Sequence, residues 1–193
     1  MIRAAKISTL LGILTLVTLA PAAASADDGA LYGRSGRDGV TFGLSLGGGH
    51  LGCAGEGCDA EFTEAGSFDL HIGGMLSPRG ALLFEAWWMF HSEDNLTVSQ
   101  GIMTGAFRFW PVRHFWLQGG LGVARAAYTY DGALIDVEDH TEWVPAFQVG
   151  VGFEPIATDT FGLDIALRYG TGFYSDGDDR VHNASLTLGV SFY

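Results

Sequence analysis

Phe147-Gln148-Val149-Gly150-Val151-Gly152-Phe153 is a run in which every second residue is large and apolar and every residue between is small or polar. A side-chain period of two belongs to a β-strand with two different faces, because successive Cβ atoms leave a pleated backbone on opposite sides. The end of the chain repeats the pattern in Leu186-Thr187-Leu188-Gly189-Val190-Ser191-Phe192-Tyr193. Between residue 27 and these runs, no apolar stretch is long enough for a transmembrane helix.

Working outward, the same signal defines eight strands, at about 40–49, 67–76, 81–91, 97–109, 115–129, 143–154, 161–173 and 183–193. The first sets Val40, Phe42, Leu44 and Leu46 against Thr41, Gly43, Ser45 and Gly47. The second sets Phe68, Leu70 and Ile72 against Ser67, Asp69, His71 and Gly73. The third sets Leu82, Phe84, Ala86, Trp88 and Phe90 against Leu83, Glu85, Trp87 and Met89. The fourth, whose alternation is the least regular, sets Met103, Gly105, Phe107 and Phe109 against Thr104, Ala106 and Arg108.

Short turns are expected at 77–80, 111–114 and 155–160, and longer connections at 50–66, 92–96, 130–142 and 174–182. Fourteen of the 22 acids fall in the longer connections, from Glu56, Asp59, Glu61 and Glu64 to Asp176, Asp178 and Asp179. Arginine marks two of the short turns, at Arg79 and Arg113. Short turns at one end, longer loops at the other and charge sorted between them describe an up-and-down barrel set across a membrane.

The first 26 residues stand outside this pattern. Arg3 and Lys6 precede an apolar stretch, Ile7 to Leu19, too short to span a bilayer, and Ala24-Ser25-Ala26 offers a small-x-small cleavage site. Residues 1–26 are therefore expected to be a cleaved signal peptide, 27–38 a periplasmic N-terminal segment, and 39–193 an outer-membrane β-barrel. The whole chain carries −12; Arg3 and Lys6 leave with the signal, so the mature chain carries −14 and has no lysine. No basic stripe is available for nucleic acid. The two cysteines, Cys53 and Cys58, are expected to form a small local disulfide after export, rather than a metal site, which needs more such ligands. No cofactor is implied.

The face composition argues against a soluble, lipocalin-type barrel. The polar face is mostly Gly, Ser, Thr and Ala with few charges, whereas a water-facing exterior is rich in Lys and Glu. Small residues suit a narrow interior, in which eight strands leave room only for side chains. The other face, apolar and nearly free of charge, suits lipid, and hydrocarbon requires that the sheet close. Aromatics near strand ends suggest interfacial girdles: Phe109, Trp110, Phe115 and Trp116 at one end, and Trp88, Phe90, Tyr128, Tyr130, Trp143, Phe173 and Tyr174 at the other.

On these residues, the aromatic–glycine alternation of 147–153 and the final strand Leu186–Tyr193 above all, the chain resembles the small eight-stranded OmpA- and OmpX-like outer-membrane barrels. The resemblance implies a place in the bacterial outer membrane, contact with its lipids and lipopolysaccharide, and assembly by the barrel-assembly machinery. In that family a terminal aromatic of the last strand is read during assembly; here Phe192, not Tyr193, continues the apolar register.

Three functions are open. A non-enzymatic barrel would stabilise the envelope or present its acidic loops, with weak divalent-cation binding there. A narrow channel would use the inward groups Asp69, His71, Glu85, Arg108, Glu154, Asp164 and Arg168; the alternative is that they pair and plug the bore. Arg108 and Arg168 are expected to bond to some of the four acids, with water, a cation or protonated His71 completing the balance. Two registers of the second and third strands are open, one setting His71 beside Glu85 and one making them diagonal neighbours. An enzyme of the lipopolysaccharide-acyl type would use His and Ser at the outer rim, but in His91-Ser92-Glu93 the two groups are adjacent and point to opposite faces. No catalytic residue is assigned.

Overall fold

The computed structural model describes residues 37–55, 59–131, 136–174 and 179–193. Nine strands appear: β1 (Val40–Ala54), β2 (Asp59–Ser77), β3 (Gly80–Glu93), β4 (Leu96–Val112), β5 (Phe115–Asp131), β6 (Asp136–His140), β7 (Val144–Ala157), β8 (Phe161–Tyr174) and β9 (Asp179–Phe192). Eight of them close an antiparallel barrel in chain order, with β7 beside β5 and β9 beside β1. β6 pairs only with the upper part of β5, from Ala127 to Asp131, and rises from the rim as a hairpin extension.

The strands are longer than the alternation predicts, and they lengthen toward one end. Residues 50–66, expected as a loop, continue the β1–β2 ladder to the pair Ala54–Asp59. The pairing slips between Gly49 and Leu51, where β2 holds one extra residue and turns Phe62 toward the interior. Alternation disappears there because a bulge exchanges the two faces. The expected 92–96 loop is a tight turn at Asp94-Asn95, with Asp94 at φ 52°, a left-handed position that a short polar side chain tolerates. Glu61, Glu64, Glu93 and Asp139 accordingly stand on strands rather than on loose loops.

Below these extensions the faces fall as the alternation requires. Val40, Phe42, Leu44 and Leu46 point out, as do Leu121, Ile165, Leu186 and Leu188, and Leu121 is 76% exposed. Thr41, Ser45, Asp69, Glu85, Thr104 and Arg168 point in and are buried. An exterior band of exposed Leu, Val, Ile and Phe, with Asp69, Glu85 and Arg168 buried inside, is the inverse of a soluble barrel. The β2–β3 register sets His71 directly across from Glu85.

Three aromatics expected in the girdles are elsewhere. Trp110 and Trp116 are 1% and 0% exposed, inside the bore, and Tyr174 is buried at its upper end. Strand parity overrides position near a turn: Phe109, Phe115 and Leu117 take the outward sites, so Trp110 and Trp116 fall inward. Glycine makes the room. A Cβ on Gly152, paired with Trp116 across the β5–β7 ladder, would overlap the indole.

Two apolar clusters fill the bore, one around Leu51, Trp87, Met89 and Ile102, the other around Leu83, Ala106, Trp110 and Trp116.

Candidate functional site: the polar layer across the lumen

Between the two clusters lies a continuous polar layer. Arg168 of β8 is its centre, 2% exposed. It donates from Nε to Glu85 at 3.1 Å, from Nη2 to Asp69 at 3.1 Å, and from Nη1 to Thr187 at 2.8 Å and to Ser45 at 3.2 Å. Gln118 and Gln148 both donate to Oε2 of Glu85, and Gln148 also donates to Thr104 at 2.7 Å. Ser45, Asp69, Glu85, Thr104, Gln118, Gln148, Arg168 and Thr187 thus form one hydrogen-bonded set with one member from each of the eight barrel strands. Arginine suits the centre, since its planar fork offers five donors to several walls at once.

The other predicted residues divide around this set. His71 lies beside it, Nδ1 3.8 Å from Asp69 and Nε2 3.4 Å from the Ser191 hydroxyl. Its ring occupies the space left by Gly43, its partner on β1. Arg108 makes no ion pair among the described residues. Its Nε donates to Gln118 at 2.7 Å, and its guanidinium lies 4.3 Å from the centre of the Trp116 ring. It reaches Glu85 only through Gln118. Asp164 faces Gly189 and is buried with Oδ1 unbonded among the described residues.

Glu154 belongs to a second group at the turn end of the barrel. It accepts from Trp110 Nε1 at 2.9 Å and from the Tyr193 hydroxyl at 2.8 Å, and it is ion-paired with Arg37. Arg37 is 4% exposed and also donates to the backbone carbonyl of Arg113 at 3.0 Å. Its guanidinium sits between the rings of Trp110 and Tyr193, 4.9 and 4.7 Å from their centres. Arg37 is the cation missing from the sequence balance of two arginines against four acids. It lies outside any strand, so periodicity did not single it out, although its odd number continues the inward parity of Thr41, Gly43 and Ser45. The uncharged members Ser45, Thr104, Gln118, Gln148 and Thr187 were equally unmarked; inward parity combined with a polar side chain would have found them.

At the outer rim the His91-Ser92-Glu93 geometry holds no activated serine. Ser92 Oγ bonds Thr97 Oγ1 at 2.9 Å, while His91 stacks on Phe62 and places Nε2 3.6 Å from Glu93. Among the described residues no three His, Cys, Asp or Glu side chains come together as a metal site. Cys53 pairs with Ala60 and Val181 at the top of β1; its proposed partner Cys58 lies outside the described residues, as do Glu56, Asp176, Asp178 and the signal peptide.

On the extension, Tyr128 donates to Asp139 at 2.9 Å. That bond, with the His140 backbone N–H second, holds the Asp139 carboxyl below the usual range, and it raises the Tyr128 phenol.

No protein-family model matches the sequence, and no curated protein matches it. Solved structures do. Ail, the attachment invasion locus protein of Yersinia pestis, matches with a TM-score of 0.58 at 14% identity, over 80% of this chain and 98% of that one. Ail in complex with the heparin analogue sucrose octasulfate matches over the same shares at 14% identity, with a TM-score of 0.57. Neisserial surface protein A matches with a TM-score of 0.55 at 11% identity, over 79% of this chain and 96% of that one. With the closed eight-strand topology, these likenesses give the chain the fold of the small eight-stranded outer-membrane β-barrels.

Proposed function

We propose that this chain is a non-enzymatic outer-membrane barrel with a plugged lumen, whose role is to strengthen the envelope and to present a tall acidic rim to surface partners. The observation that carries the reading is the layer centred on Arg168, which ties all eight walls together across the bore. A through-path would require breaking several buried, charge-assisted hydrogen bonds at once. Arg37, Glu154 and Tyr193 form a second closure at the turn end. In this reading residues 1–26 are removed on export, the barrel-assembly machinery inserts the chain, and residues 27–38 begin on the periplasmic side, with Arg37 drawn into the mouth. Cys53 and Cys58 staple the tip of the β1–β2 hairpin.

The Ail complex with sucrose octasulfate is a polyanion complex of that protein. The acids Glu61, Glu64, Glu93 and Asp139 at the rim of this chain instead favour cationic partners, with weak, salt-sensitive divalent-cation binding. The inward charges point to a plug rather than to a selective channel, and the bonding of Ser92 to Thr97 argues against acyl transfer at the rim.

Planar-bilayer recording of the refolded mature chain tests the proposal. Small, intermittent openings are expected; large, steady conductance would replace the plug with a channel.

A further inference from the structure

The mature chain has eight arginines and no lysine, and two of those arginines point outward on the barrel wall. Arg125 continues the outward parity of Leu117, Leu121 and Val123 on β5, and its guanidinium lies 5.8 Å from the centre of the Trp143 ring. Arg180 continues the outward parity of Leu186, Leu188 and Val190 on β9, 5.6 Å from the ring of Phe173. Neither forms an ion pair with a carboxylate among the described residues, and the guanidinium of Arg125 donates only its Nε, to the Thr141 carbonyl at 3.1 Å. Inward arginines 37 and 168, by contrast, are paired with acids.

Their height gives the pattern a meaning. Arg125 stands ten residues above Phe115, the turn-end residue of β5, and Arg180 twelve residues from Phe192, the turn-end residue of β9. At ~3.3 Å per residue and a strand tilt of about 40°, both lie ~25–30 Å above the turn end, which is the upper edge of an apolar band ~25 Å tall. Across the sheet they are three strand spacings apart, ~14 Å. A cation facing lipid at that level, set against an aromatic ring and without a carboxylate partner among the described residues, meets the negative charge of the outer-leaflet headgroup layer.

We propose that Arg125 with Trp143 and Arg180 with Phe173 are two binding positions for the phosphate groups of an outer-leaflet glycolipid. The proposal rests on the outer-membrane reading above and adds to it the ligand chemistry and the residues. Among the described residues the terminal nitrogens of Arg125 and the guanidinium of Arg180 make no hydrogen bond, so each can offer N–H donors to a phosphate while an aromatic ring lies against its fork.

The test titrates the mature barrel, in an uncharged detergent, with bisphosphorylated lipid A and counts retained lipid by native mass spectrometry. Arg125→Gln and Arg180→Gln should each weaken retention about fivefold, and the double variant roughly 25-fold. Arg125→Lys should keep most of the binding, and Arg79→Gln, in the opposite turn, should leave it unchanged. Equal retention by wild type and double variant, or equal binding of lipid A stripped of its phosphates, would overturn the proposal. Displacement of the lipid by inorganic phosphate at matched concentration would show a free-anion site and overturn the lipid assignment. A variant counts only if it keeps the mobility difference between unheated and boiled samples. Absence of that difference in the wild type would refute the membrane barrel itself, a separable failure.

Discussion

Replacing Arg168 with methionine keeps most of the side-chain volume while deleting the charge and its four hydrogen bonds. It strands Asp69 and Glu85, both 0% exposed, in a bore sealed above and below by apolar side chains. Removing one partner of a buried ion pair costs ~3–5 kcal/mol, because the remaining charge has neither water nor partner. The two acids are not stranded equally. Glu85 keeps the amide donors of Gln118 and Gln148, whereas Asp69 keeps only the Ser45 hydroxyl at 3.4 Å and the neighbouring His71. Most of the loss should therefore arise at Asp69. Adding Asp69→Asn to Arg168→Met should recover about half of it, and the triple variant with Glu85→Gln should come within ~1 kcal/mol of wild type, since a neutral, hydrogen-bonded core tolerates what a half-paired charge does not. Urea titration in detergent, read by the gel-mobility difference between folded and unfolded barrel, measures each variant. A cost below ~1 kcal/mol for Arg168→Met, or further loss on adding Asp69→Asn, would refute the assignment of Arg168 as the tie between the walls.

The two faces are tested by Ile165→Arg, expected to cost roughly 2–4 kcal/mol on the lipid side. Its inner-face control, Thr187→Ser, keeps the hydroxyl used by Arg168 and should stay within ~1 kcal/mol in the same titration; equal effects would mean that the faces are exchanged. Gly152→Ala should destabilise by roughly 1–3 kcal/mol by overlapping Trp116, with partial recovery by Trp116→Phe, while Gly119→Ala on the open exterior should be silent by thermal melting. The Tyr128–Asp139 bond makes the β5–β6 extension pH-dependent. The lowered Asp139 pKa contributes stability that is complete above the unfolded value, ~3.9, and lost as pH falls through the folded one. The raised Tyr128 pKa contributes stability that is complete below ~10 and lost as pH rises through the folded value. Amide protection of 136–140, taken as the observed exchange rate relative to the intrinsic rate at each pH, should accordingly be greatest between about pH 4 and 10, and Tyr128→Phe should flatten that profile.

The number of barrel strands, their antiparallel order, barrel closure and the sidedness of the central strand segments were legible from the sequence, whereas the β6 hairpin extension at 136–140 was not. A period of two is a local property, and one face of Phe, Leu, Ile and Val opposite another of Gly, Ser and Thr leaves a single way to meet lipid. The inward direction of Asp69, Glu85 and Arg168 followed from the same parity. Their partners were not legible, because contacts across a bore depend on tilt and stagger between strands far apart in sequence. Only the closed barrel brings Arg168 of β8 against Asp69 of β2 and Glu85 of β3, and leaves Arg108 to Gln118 and the Trp116 ring. Alternation also failed where the pleat is interrupted: the slip near Gly49 hid the upper β1–β2 hairpin, and Arg37, outside every strand, carried no period by which to be noticed. Sequence determined which groups enter the lumen. Tertiary structure decided which of them meet, since their separation is set by the geometry of closure and not by any spacing along the chain.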